Sequence, residues 1–126
     1  MIALILHLIG DYVTQSQWMA DNKTKSTWAA FVHATIYSVP FAWLVHSWHG
    51  WLVIWATHLL IDRFRLARHV VYFKNLIAPV SEWKSWKDCS GTGYHKDLPP
   101  WLAVWLLIVA DNTLHLTINA IALQQW

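Results

Sequence analysis

Three acid–imidazole pairs stand four residues apart inside apolar segments: His7/Asp11 in LHLIGDY, His58/Asp62 in THLLIDR and Asp111/His115 in ADNTLHL. On a helix, positions i and i+4 share a face one turn apart, so each pair points a carboxylate and an imidazole in the same direction. A fourth apolar segment, FVHATIY, adds His33. Neutral imidazole with carboxylate is the donor set of zinc and of other first-row divalent ions. An ionisable group costs about 2.5–3.5 kcal/mol in the middle of a membrane helix and usually faces a shared polar interior. The expectation is one or two divalent ions, zinc first, bound by His7, Asp11, His58, Asp62 and His115. Asp111 is the candidate general base. His33 is a candidate catalytic acid for the leaving group, or a further ligand. Gln15, Tyr37 and Asn119 continue the same i+4 stripes and are placed to contact the ligands or a substrate.

These groups need elements to position them. The apolar runs predict an all-α integral membrane bundle of four transmembrane helices in a single domain spanning residues 1–126. The helices cover about 1–20, 27–45, 51–66 and 99–123, near the roughly 20 residues a bilayer needs. Ser26 or Thr27 is a plausible N-cap for the second, Pro40 is expected to kink it, and Pro99–Pro100 open the fourth. Between the third and fourth, about 67–97, basic and aromatic residues mix as in an amphipathic segment lying at a membrane interface. Its tail, CSGTGYHKD, has the composition of a loop. Lys23 and Lys25 mark the first connection, and seven Lys or Arg from Arg63 to Lys96 mark the third. The positive-inside rule then puts both connections in the cytoplasm and both termini outside. Counted from that side, the His and Asp of all four helices fall at overlapping depths.

The chain of 126 residues is 56% hydrophobic and 13% charged, well below the usual charged share, and it carries 11 Trp. Several Trp fall near the expected helix ends, as in an aromatic belt. A net charge of +2 without basic residues interleaved with aromatics on a polar face argues against nucleic-acid binding. Cys89 stands alone and can form neither an internal disulfide nor a cysteine-based zinc site. The first apolar run lacks a basic leader and an A-x-A site and contains His7 and Asp11, so it is read as a helix of the protein rather than a signal peptide. His46, His49, His69 and His95 fall in connections and are read as solvated or interfacial.

HLIGDYVTQSQWMADNK resembles the opening of a family of small uncharacterised membrane proteins of bacteria and tailed phages, with the pattern H-L-x-[GA]-D-[FY]-x-x-Q-x-x-W-M-x-x-x-K. FVHATIY, HLLIDRFR and DNTLHL look like later blocks of the same family. The layout is more distantly similar to membrane-bound metal-dependent hydrolases, which gather His and Asp from several helices around zinc. That likeness implies a bacterial inner-membrane location and metal-assisted hydrolysis of an amide or ester in a lipid-like substrate. The bilayer and that substrate are then the expected partners, with oligomerisation open. Two alternatives stand beside it: a proton or metal-ion transporter, and a non-catalytic phage or host membrane interaction protein.

Overall fold

The opening apolar run begins helix α1 (Ile2–Leu8), which widens into a π-helical turn at Ile9–Val13 and then breaks at 14–16. The computed structural model describes residues 1–126 and is all-α. Ser16 caps the next helix, α2 (Gln17–Asn22), by accepting a hydrogen bond from the Met19 N–H at 3.3 Å. Ser26 caps α3 (Thr27–Ser38) in the same way, through the Ala29 N–H. These hydroxyls satisfy amide groups that no helical carbonyl can reach. Pro40 lacks an N–H, and from Val39 the chain tightens into a 3-10 helix ending at Trp43. Helix α4 (Trp48–Phe64) follows, and Arg65 ends it in the left-handed region at φ 52°. Then come α5 (Leu66–Asn75), a 3-10 turn at Val80–Glu82, α6 (Trp86–Cys89) and the long α7 (Pro100–Gln125).

The chain forms two compact units, one of residues 1–64 with 115–126 and one of residues 65–114. In the first, Tyr37, Phe41, Ile54 and Ala122 form a fully buried core, flanked by Ala3, Leu6, Val45, Val53 and Leu123. Helices α3 and α4 are pinned by two indole donors. Trp51 Nε1 donates to the Ser38 carbonyl and Trp55 Nε1 to Thr35 Oγ1, each at 3.0 Å. The same unit buries six His and Asp side chains while leaving many large apolar ones outside, among them Leu4, Ile5, Trp28, Phe31 and Trp43. In the second unit α5 buries Ala67 and Val71. Its loop is tied down by side chains: Arg65 donates to the Gly91 carbonyl at 2.8 Å, Arg68 to Ser90 at 3.1 Å and Asn75 to Gly93 at 3.2 Å. Cys89, expected as a free thiol, is free and buried.

The structure does not carry the four membrane spans expected from the apolar runs. Only α7, with 26 residues, is long and apolar enough to cross a membrane. At 1.5 Å per residue it reaches about 39 Å, against roughly 30 Å of hydrocarbon. The first expected span instead breaks after Val13, the second leaves α-helical geometry after Ser38, and α4 stops at 17 residues. A multi-pass inner-membrane protein with both termini outside is therefore not supported, and neither is the depth alignment built on it. Apolar composition over about 20 residues signalled spans, but caps, Pro40 and the Arg65 turn divide those runs into shorter pieces.

Gly10 is the tight point of the first unit. A Cβ there would press into the Tyr37 ring, with Cε2 at 3.1 Å. Tyr37 is fully buried and cannot retreat. Gly10→Ala is expected to destabilise by about 1–3 kcal/mol, the usual cost of overpacking. Gly91→Ala, where nothing lies within 4 Å of the added methyl, serves as control. Equal chemical-denaturation midpoints for the two variants would contradict the packing described.

Candidate metal centre

Three chain segments converge on one point. The π-helical turn carries Asp11, α3 carries His33, and α4 carries His58 and Asp62 one turn apart. π-Helical turns rotate side chains off the α-helical stripe and often occur at functional sites. His33 Nε2 lies 2.9 Å from His58 Nε2. It lies 3.2 Å from Asp11 Oδ1 and 3.1 Å from Asp62 Oδ2. His58 Nε2 lies 3.4 Å and 3.2 Å from the same two oxygens. These are five of the six separations among four donor atoms, all of which lie within 4.8 Å of one another. Donors held 2.0–2.1 Å from a tetrahedral zinc are separated by about 3.3 Å. The residues therefore fit a metal ion in both chemistry and spacing. All four are buried, the most exposed being Asp11 at 7%.

Both rings turn Nε2 toward the converging donors. The Nδ1 atoms of His33 and His58 are buried without a hydrogen-bond partner. A buried unsatisfied polar atom costs about 1–3 kcal/mol. A metal-bound imidazole usually donates its other N–H, so a metal at Nε2 would not relieve that cost.

Around the quartet lies a supporting layer. Tyr37 stacks on the His58 ring, centroids 3.6 Å apart and planes at 17°. Its hydroxyl accepts from Asn119 Nδ2 at 2.6 Å and lies 2.8 Å from His7 Nδ1. His7 Nδ1 is also 3.5 Å from Asp11 Oδ2, and His115 Nε2 is 3.5 Å from Asp62 Oδ1. Thus His7 and His115, expected as ligands, flank the far oxygen of each carboxylate, while His33 stands among the four converging donors. Asp111, the expected base, is half-buried one turn before His115 on α7 and belongs to the second unit.

One participant had no signal in the acid–imidazole spacing. Lys23, at the end of α2, forms an ion pair with Asp62 Oδ2 at 2.9 Å and lies 3.3 Å from His33 Nε2. In the sequence it serves only to mark the first connection as basic. A lysine in a polar turn looks solvated in sequence, and only the fold shows that it turns inward.

Burial alone would raise the Asp11 and Asp62 carboxyls. Hydrogen bonds from the imidazoles, with the charge on His58, outweigh that and hold both well below the usual range; Lys23 adds to the effect on Asp11. Burial pushes His33 down, but its hydrogen bonds to Asp11 and Asp62 leave it raised.

The family model described as a protein of unknown function, DUF3307, matches residues 1–90. The chain belongs to that family. The match contains Asp11, Lys23, His33, Tyr37, His58 and Asp62 and stops short of His115 and Asn119. No curated protein and no solved structure matches the chain.

The charge shifts fix a pH profile for the metal-free protein. Asp11 and Asp62 are lowered in the folded state, so their contribution is complete above about pH 4 and is lost as the pH falls below it. His33 is raised, so its contribution is complete below about pH 6.5 and is lost as the pH rises through the folded value. The melting temperature in chelator should peak between those limits. A melting temperature that keeps climbing from pH 6.5 to 8.5 would contradict these assignments.

Proposed function

We propose that this chain is a zinc-dependent hydrolase acting on an amide or ester of a lipid-like or membrane-partitioning substrate. The observation that carries the metal is the convergence of Asp11 Oδ1, His33 Nε2, His58 Nε2 and Asp62 Oδ2, with five of their six separations at 2.9–3.4 Å. Two carboxylates with two imidazoles suit zinc over softer-ligand metals. When bound, a divalent ion supplies Lewis acidity toward a carbonyl or phosphoryl oxygen and acidifies water. Asp11 and Asp62 balance its charge. His7 and His115 steady the far carboxylate oxygens, and Tyr37 holds His7 and the His58 ring. Asp111 is the proposed general base, as a carboxylate one turn from His115.

The substrate class rests on the outside of the first unit. Large exposed apolar side chains on a fold that also buries a His/Asp cluster favour contact with acyl chains over contact with water alone. The resemblance to membrane-bound metal-dependent hydrolases, which rests on the His/Asp layout of the sequence alone, is in keeping with the same class. A second reading, a non-catalytic metal-stabilised interaction protein, is favoured by one feature. Four protein donors equal the ligand count of a structural zinc site, whereas catalytic sites keep a position open.

Elemental analysis of the purified chain, before and after chelation, tests the metal. About one zinc per chain is expected, and His58→Ala should lose it and melt at a lower temperature. No bound metal in a wild type whose stability is unaffected by chelator would overturn the reading. Asp111→Asn tests the chemistry. It should retain metal and fold while losing turnover on a panel of lipid amides and esters, by about 10²-fold or more for a general base. A metal-loaded wild type inactive on that panel would favour the interaction protein.

A further inference from the structure

The Lys23 ammonium touches two of the four donor atoms that define the candidate metal centre. It is 2.9 Å from Asp62 Oδ2 and 3.3 Å from His33 Nε2. A divalent ion bound by those atoms would stand within about 2 Å of each. An ammonium at the same atoms would then face two like charges at short range with little water between them. The two cations exclude one another.

The surroundings suit an exchange. Asp11 and Asp62 are two buried carboxylates, and buried charge without countercharge is strongly unfavourable. Lys23 supplies that countercharge from a tethered position. Its turn is held by Arg63, which donates to the Thr24 carbonyl at 2.8 Å and to Thr27 Oγ1 at 3.2 Å. The tether is local, however. The Lys23 side chain is 18% exposed where that of Asp62 is 4% exposed. Its flexible four-carbon stem can carry the ammonium to water without moving the helices that hold the donors.

We propose that Lys23 is a built-in substitute for the metal: its ammonium completes the Asp11–His33–His58–Asp62 site in the metal-free protein and leaves when a divalent ion binds. Resting on the metal-site reading above, this makes metal affinity a difference between two occupied states. Lys23 keeps the site assembled before loading and lowers affinity by competing for Asp62.

The test compares the full-length wild type, Lys23→Met and Lys23→Arg by competition titration of zinc against a chromogenic chelator, with melting curves in chelator and in zinc. Lys23→Met removes the charge and keeps the stem. It should bind zinc about tenfold more tightly or better, a plausible weight for a partly buried ion pair. It should melt lower than wild type in chelator and gain more on adding zinc. Lys23→Arg keeps the charge and should stay near wild type in affinity. If Lys23→Met folds only when refolded with zinc, that dependence is itself the expected result in extreme form. Zinc affinity of Lys23→Met equal to or below that of a zinc-binding wild type would overturn the proposal while leaving the metal site standing. Failure of both proteins to bind zinc would overturn the metal site and this proposal together.

Discussion

Two carboxylates inside an apolar fold are the constraint on which the first unit depends. Asp11 and Asp62 come from different segments, the π-helical turn and α4, and both are buried. Neither could stay ionised there without positive charge or hydrogen-bond donors close by. His33 and His58 provide donors to both, and Lys23 provides charge to Asp62. The helices meet where they do because these groups must meet. Apolar packing then closes around them through Tyr37, Phe41, Ile54 and Ala122.

Tyr37 joins the two kinds of order. Its ring is part of the apolar core and stacks on His58, while its hydroxyl reaches His7 and Asn119. It fixes rotamers that the quartet needs and leaves Gly10 no room for a side chain. A polar network with few alternative arrangements is well suited to hold a ligand set in place before the ligand arrives.

The distribution of polarity is the other distinctive property. Most of the large apolar side chains are exposed while His7, His33, His58, His115, Asn119 and Ser38 are buried. In an ordinary water-facing domain the hydrophobic effect would drive the opposite arrangement. The buried polar groups are held by ion pairs and ring contacts with one another.

Legible in the sequence alone were the helical class, the Ser26 cap, the helix start at Pro100 and a buried His/Asp cluster able to hold a metal ion. Each of these is local: an i+4 stripe, a hydroxyl before an apolar run, or an ionisable group where only partnered charges survive. Helix length was not legible, because composition does not show that the first run breaks after Val13 or that Arg65 turns α4 away. The four-span bundle failed for that reason. Nor could spacing reveal which nitrogens and oxygens converge. His7 and His33 look equivalent in sequence, yet His33 enters the quartet and His7 stands beside Tyr37. Lys23 is the clearest case. Its inward turn depends on α2 ending against α4, a contact between residues 39 positions apart, and only tertiary packing sets where such an ammonium comes to rest.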